Sequence, residues 1–238
     1  MALSSLTGPR LPPARGAATH LVVLCHGYGA DGNDLIGLAP YWQRVLPTAA
    51  FVAPNAPEPC AGAPSGYQWF PISRLEPLAM RRGVEAAAAT LSDFIDAELK
   101  RLALQADRLA LVGFSQGTMM ALHVGLSRPA KPACIVGFSG LLAGDPAAAL
   151  GMDAPPVLLV HGADDPMIPA AALFDAAGRL AAAGSPVRWH VSTGLGHSID
   201  EAGILLAAQH LQAGLRGQLR RGAAKISCPV AEMSQRIA

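Results

Sequence analysis

Short apolar runs rich in Val, Leu and Ile, most of them continuous, recur along the chain at 21–25, 49–53, 109–113, Cys134–Phe138, 157–160 and 187–191. They do not alternate with polar residues, which is the pattern of strands covered on both faces by helices. Between them lie segments of helical period. Residues 31–46 open on Asp31, Asn33 and Asp34, residue types that cap helix N-termini. Residues 76–104 place Pro77 in the first turn and then repeat Met80, Val84, Ala88, Leu91, Phe94, Ile95, Leu99 and Leu102 at helical spacing. Helices are also predicted over 116–126, 170–183 and 198–215. Strand and helix alternate, so the expected class is α/β: a mostly parallel central sheet with helices on both faces.

Two segments break the pattern. Residues 54–76 are Pro-rich yet hold Tyr67, Trp69 and Phe70, three of the twelve aromatics, within four positions. A loop this long in a compact domain is usually functional, and its aromatics argue against disorder. Residues 216–238 carry Arg220, Arg221, Lys225 and Arg236 without periodicity and read as a tail. The expected organisation is one domain over 1–215, with 54–76 as a pocket cover, followed by that tail.

Composition narrows the function classes. The 238 residues are 51% hydrophobic and 15% charged, enough apolar material for a large core. A formal net charge of +1 with dispersed basic residues gives no footprint for nucleic acid or an anionic membrane. Neither a signal peptide nor a membrane-length apolar run is read, so no stable membrane insertion is expected. Cys25, Cys60, Cys134 and Cys228 have no metal-ligand spacing and read as thiols of a reducing cytoplasm.

The sharpest chemical signal is Gly113-Phe114-Ser115-Gln116-Gly117, which fits Gly-x-Ser-x-Gly between a predicted strand and a predicted helix. A serine on such a turn points its hydroxyl out of the sheet, with the helix N-terminus beside the reacting carbonyl. The hydroxyl needs a base. Among seven histidines, His20 precedes the first core strand, and His26 and His161 precede the serine or the candidate acids in chain order. His123 and His210 fall within helices and His190 within a strand. His197 remains, in the glycine-rich 193–197 loop at the carboxyl end of the sheet. The acid should lie after the 157–160 strand, where Asp164 and Asp165 are both candidates; Asp145 and Asp153 lie in a Pro/Ala-rich loop and suit turns better. The backbone N–H of Gln116 is one oxyanion donor, and the other belongs to the glycine-rich 25–32 loop. That loop lacks the full glycine fingerprints of phosphate-binding sites.

These residues resemble a known group. The segments Leu24-Cys25-His26-Gly27-Tyr28-Gly29-Ala30-Asp31-Gly32, Gly113 to Gly117, His161-Gly162-Ala163-Asp164-Asp165-Pro166 and Gly196-His197 are similar, in that order, to the phospholipase/carboxylesterase family of α/β-hydrolases, which includes bacterial carboxylesterases and acyl-protein thioesterases. The resemblance runs from about residue 4 to residue 215. It implies that Asp165, before Pro166, is the triad acid and that the Tyr28 N–H joins that of Gln116 in the oxyanion hole. It also implies that Trp69 sits on a loop beside the acyl pocket and that Met167 and Ile168 line it. Ser115, His197 and Asp165 together point to a serine carboxylesterase acting on short- to medium-chain esters through an acyl-enzyme, with no metal or organic cofactor. Its partner is a small-molecule ester or acyl substrate, and the protein is expected to be a cytoplasmic monomer or homodimer. The same triad serves thioesters of acylated proteins or lysophospholipids, and a non-catalytic binding module on the same fold is the alternative from a different class.

Overall fold

The computed structural model describes residues 6–63, 65–72, 75–146 and 154–219. Asp153, Cys228, Arg220, Arg221, Lys225 and Arg236 lie outside them. In chain order the described strands are β1 (Arg10–Leu11), β2 (His20–Cys25), β3 (Ala49–Val52), β4 (Glu58–Pro59), β5 (Tyr67–Gln68), β6 (Leu109–Phe114), β7 (Cys134–Phe138), β8 (Val157–Gly162) and β9 (Val187–Ser192). The helices are α1 (Gly32–Ile36), α2 (Ala39–Gln43), α3 (Pro77–Leu102), α4 (Gln116–Ser127), α5 (Ala171–Ala182) and α6 (Glu201–Leu215). Among the described residues β1-β3-β2-β6-β7-β8-β9 form one sheet, antiparallel at β1–β3 and parallel elsewhere.

The unbroken apolar runs follow from burial on two sides. Along β2, Leu21, Val23 and Cys25 enter one core cluster, while Val22 and Leu24 enter the other. Leu109 and Leu111 oppose Ala110 and Val112 in β6 in the same way, as Val157 and Leu159 oppose Leu158 and Val160 in β8. The first cluster is closed by α3, α4 and α5, the second by α1, α2 and α6. Successive strand side chains point to opposite faces, so only a run apolar at every position fills both layers. The edge strand β9 departs from this: Arg188 and Trp189 are exposed, Trp189 by 50%. Cys25, Cys60 and Cys134 are buried, and burial pushes the Cys25 thiol up to about 12, so it packs as a small protonated hydrophobe.

Two predicted segments differ in detail. The single helix expected over 31–46 is two short ones, broken at Gly37–Leu38 before Pro40, with the Asp31 carboxylate capping the first through the Asn33 N–H at 2.7 Å. The 54–76 segment holds a small antiparallel hairpin, β4 with β5, that sequence periodicity is too short to reveal. Its end is anchored on α3, where Phe70 packs over Gly83: a Cβ at Gly83 would lie 2.2 Å from the Phe70 ring, which accounts for a glycine inside a long helix.

One charged cluster ties the β1 edge to α3. Glu98 is only 4% exposed, yet its carboxylate accepts from Arg10 Nη2 at 2.6 Å and from Arg101 Nη2 at 2.7 Å. Burial pushes this carboxyl up, but the two guanidiniums outweigh it and hold it below its ordinary value. A depressed carboxyl contributes stability above its unfolded pKa, lost as pH falls through the folded value. Glu98→Gln is therefore expected to cost about 1–2 kcal/mol at neutral pH, the exposed arginines keeping the figure small. The cost should shrink below about pH 4. Urea denaturation at both pH values checks this, and an equal loss at both would contradict it.

Candidate active site

Ser115, the Tyr28 loop, the Asp165 turn and the His197 loop follow the carboxyl ends of β6, β2, β8 and β9. Ser115 follows β6 and precedes α4 with φ 53° and ψ −117°, a backbone conformation L-residues rarely adopt. The turn is forced by how closely α4 approaches the sheet. A Cβ on Gly117 would lie 1.8 Å from the Cys25 carbonyl oxygen, and one on Gly113 2.3 Å from the Gly117 carbonyl oxygen. Glycine at both positions lets helix and strands meet, and the serine between them remains partly exposed.

The neighbouring loops are tied to the same strand ends. The Ser115 N–H donates to the Phe138 carbonyl at 2.9 Å, and the Ser139 hydroxyl donates to the Ser198 carbonyl at 3.3 Å. The end of β7 thus holds both the serine turn and the loop that carries His197. That loop also meets the turn after β8, where the Asp164 N–H donates to the Leu195 carbonyl at 2.9 Å. The Phe114 ring lies against the His197 ring, with centroids 4.9 Å apart.

His197 Nδ1 is 2.7 Å from Asp165 Oδ2; a carboxylate there accepts, so Nδ1 carries the proton and Nε2 is left with its lone pair. The Asp165 side chain has no solvent exposure and that of His197 has 20%. On its other oxygen, Asp165 accepts the N–H groups of Met167 at 2.8 Å and Ile168 at 2.9 Å. Burial pushes the Asp165 carboxyl up, but the Ile168 N–H, the His197 ring and the Met167 N–H outweigh it and lower its pKa, favouring the charged form. Asp164 is exposed in the same turn.

Gln116 opens α4 directly after Ser115, and Tyr28 lies in the loop after β2. The loop bearing Tyr28 is held from beneath by His26, which is fully buried. Its Nδ1–H donates to the Gly27 carbonyl at 2.7 Å and its Nε2 accepts the Ala56 N–H at 2.9 Å, so the ring is a neutral strut, and burial lowers its pKa further from protonation. Trp69, expected beside the acyl pocket, is 1% exposed and donates its indole N–H to the His26 carbonyl at 3.0 Å. The Gln116 side chain completes the strap, accepting the Trp69 N–H at 2.9 Å and donating to the Phe70 carbonyl at 2.7 Å. Ile168 is buried under the Asp165 turn, while Met167 is 63% exposed at the rim.

A cavity of about 680 Å³ lies between the start of α3, the loop after β7 and the start of α5; Arg81, Asp145, Asp175 and Arg179 put charge on its lining, and neither Ser115 nor His197 lines it. Leu75, Leu78 and Met80 from the start of α3 line one side, Leu141 and Leu142 another, and Ala172 of α5 a third. Leu141 follows Gly140, which packs against the Ser115 carbonyl, so the cavity lining begins one residue from a neighbour of the serine. Trp69, Met167 and Ile168 do not line it. Another cavity, of about 340 Å³, lies at the amino ends of β8 and β9, around Pro156, Pro186 and His210, on the far side of the sheet from the serine.

Sequence reasoning passed over His26 and His161 because neither suits the base by chain order. Both stand at a strand end directly before glycine, His26-Gly27 after β2 and His161-Gly162 in β8, and that repeated placement is the signal that marks them.

A parallel sheet carrying a serine on a strained strand-to-helix turn, with a carboxylate-bonded histidine on a later loop, defines an α/β-hydrolase. The sequence profile of the phospholipase/carboxylesterase family matches residues 7–215. The chain is 30% identical over 195 residues to Esterase YpfH of Escherichia coli (strain K12), covering 82% of this chain and 83% of that protein. It is 33% identical over 162 residues to acyl-protein thioesterase 1 of Schizosaccharomyces pombe, covering 64% and 71% of the two chains. The crystal structure of esterase PE8 superposes with a TM-score of 0.84 at 42% identity, covering 87% of this chain and 98% of that one. The chain belongs to the phospholipase/carboxylesterase family and is a serine hydrolase of the esterase type.

The strap across the oxyanion loop gives a stability test. Gln116→Leu keeps the backbone N–H but strips partners from the buried Trp69 N–H and Phe70 carbonyl, and is expected to cost about 2–4 kcal/mol. Chemical denaturation measures it; a loss below about 0.5 kcal/mol would mean that the strap carries little of the stability.

Proposed function

We propose that the protein is a serine carboxylesterase in which Ser115 is the nucleophile, His197 the general base and Asp165 the acid that orients it. The observation that carries this reading is the 2.7 Å contact between His197 Nδ1 and Asp165 Oδ2, made by a ring that lies against Phe114, the residue before Ser115. In the first step Nε2 takes the Ser115 proton as the oxygen adds to the ester carbonyl. The resulting oxyanion is met by the N–H groups of Gln116 and Tyr28. The imidazolium then returns the proton to the leaving alkoxide, the C–O bond breaks, and an alcohol departs from the acyl-enzyme. Water repeats the sequence, its proton passing to Nε2 and then to Ser115, and a carboxylic acid is released.

The cavity that starts at Leu141, next to the Gly140 that meets the Ser115 carbonyl, is read as the place of a short- to medium-chain acyl group. Its size falls within the range of small-molecule sites, and leucine, methionine and alanine supply its apolar walls while Arg81, Asp145, Asp175 and Arg179 supply charge. Trp69 acts in this reading as an anchor of the oxyanion loop rather than as a pocket wall, since its ring is buried and its indole N–H is bonded. The family profile over 7–215 supports one catalytic domain. Among the described residues no helix is long and apolar enough to cross a membrane, consistent with action on small esters in the cytoplasm. A long-chain thioester remains the second reading, favoured by the likeness to an acyl-protein thioesterase.

Ser115→Ala should reduce turnover of a short nitrophenyl ester by roughly 10³-fold or more while leaving the unfolding midpoint within error. A fluorophosphonate probe should label the native protein and not the variant; retained activity or labelling would remove Ser115 from its role. Because the base must be neutral, kcat/KM should fall on the acid side, and a flat profile from about pH 5 to 8 would count against His197. Ala172→Trp, which fills the cavity, should depress turnover of octanoyl esters at least about tenfold more than that of acetyl esters. Equal depression would place the acyl chain elsewhere.

A further inference from the structure

We propose that His161 is a positioning residue for the acid of the triad: it locks the Asp165 turn and shares the charge of the oxygen that faces His197. The inference rests on the assignment of Asp165 and His197 above. His161 lies in β8 with its side chain 2% exposed, four residues before Asp165. Its Nε2 is 2.8 Å from the Ile168 carbonyl oxygen and 3.2 Å from Asp165 Oδ2. Both oxygens only accept, so Nε2 carries the proton and presents it to the two at once.

The geometry closes a ring. His161 holds the Ile168 carbonyl, the Ile168 N–H holds Asp165 Oδ1 at 2.9 Å, and Asp165 Oδ2 holds His197 at 2.7 Å. Removing the imidazole frees the Ile168 carbonyl, loosens the 165–168 turn and takes one partial positive charge from Oδ2. Around His161 the neighbouring side chains are uncharged: Thr118 and Leu122 of α4, Leu141, Leu159 of β8, and Leu173 of α5. Asp165 is thus the charged group that faces it among the described residues. His197 faces Asp165 and the Phe114 ring. Of the other carboxylates on the surrounding loops, Asp164 is exposed, and Asp200 is engaged by the Gly203 N–H at 2.8 Å.

The electrostatic consequence has a sign. With the His161 N–H gone, Oδ2 keeps more negative charge and stabilises the protonated His197 ring more strongly. The base is then lost at a higher pH, and fewer molecules hold it in the geometry that accepts the serine proton.

The test compares the wild-type protein with His161→Leu and His161→Gln, whose amide nitrogen reaches the position of Nε2, on a short nitrophenyl ester across pH. His161→Leu is expected to lower kcat/KM roughly tenfold, mainly through kcat, the worth of one hydrogen bond to a charged or buried group. Its acid limb should move to higher pH by about half a unit, and His161→Gln should return the limb toward wild type. A packing role alone would lower the unfolding midpoint and leave the acid limb in place, and that result overturns the proposal. If His161→Leu does not fold, His161→Asn, too short to reach either acceptor, replaces it with the same expectation. Asp165→Asn separates the two claims. Activity retained in that variant brings down the triad assignment and this inference together. An inactive Asp165→Asn beside a His161→Leu protein with the wild-type pH profile brings down this inference alone.

Discussion

The contact on which the rest of the structure depends is the approach of the α4 N-terminus to the ends of β2 and β6. Gly117 sits where any side chain would overlap the Cys25 carbonyl, and Gly113 where one would overlap the backbone of Gly117 itself. Helix and sheet cannot come this close without a turn of unusual backbone geometry, and Ser115 occupies it at φ 53°. Such a conformation costs about 1–3 kcal/mol and persists only where the surroundings over-determine it. Here they do: the Ser115 N–H is bonded to β7, and α4, buried along most of its length, is packed under α3 and against the sheet. The strain is thereby tied to the stability of the whole core, and the serine is aimed outward by the same packing that holds the domain together.

Around that turn, histidine serves in three ways that residue type alone does not distinguish. His26 is buried between a carbonyl and an amide N–H, which fixes it as a neutral strut beneath the oxyanion loop. His161 is buried with its Nε2 proton between a carbonyl and a carboxylate, which makes it a brace for the acid turn. His197 has Nδ1 on a carboxylate and a side chain 20% exposed, which suits the base proposed for it. The partner of each nitrogen determines the tautomer, and the tautomer determines what the ring can do. All three stand at the carboxyl edge of the sheet, where parallel strands deliver successive loops to one place.

The cover segment carries a similar lesson. Its aromatics are used inward: Trp69 and Phe70 bond to or pack on His26, Gln116 and Gly83, so the segment fastens the oxyanion loop to the core. The cavity is instead walled by the start of α3, the loop after β7 and the start of α5. The strap and the cavity thereby use different side chains, although Met80 and Leu142 of the cavity lining also belong to the core.

Much of this was legible in the chain as written. Apolar runs occupied at every position announce two-sided burial, and Gly113-Phe114-Ser115-Gln116-Gly117 between a strand and a helix announces the strained turn, because both are local consequences of backbone period and side-chain size. The order of the motifs narrowed the partners to His197 and to one of two adjacent aspartates. What the chain did not contain was distance. That Asp165 rather than Asp164 bonds the His197 ring, that His26 is a buried brace, and that Trp69 points into the core depend on contacts between residues 30 to 43 positions apart, as in His26–Ala56, Asp165–His197 and Trp69–His26. The His161 contacts, only four and seven positions apart, depend on the fold of the turn after β8. Periodicity reports which face a residue occupies, whereas only the packed sheet brings separate loops to within a hydrogen bond of one another.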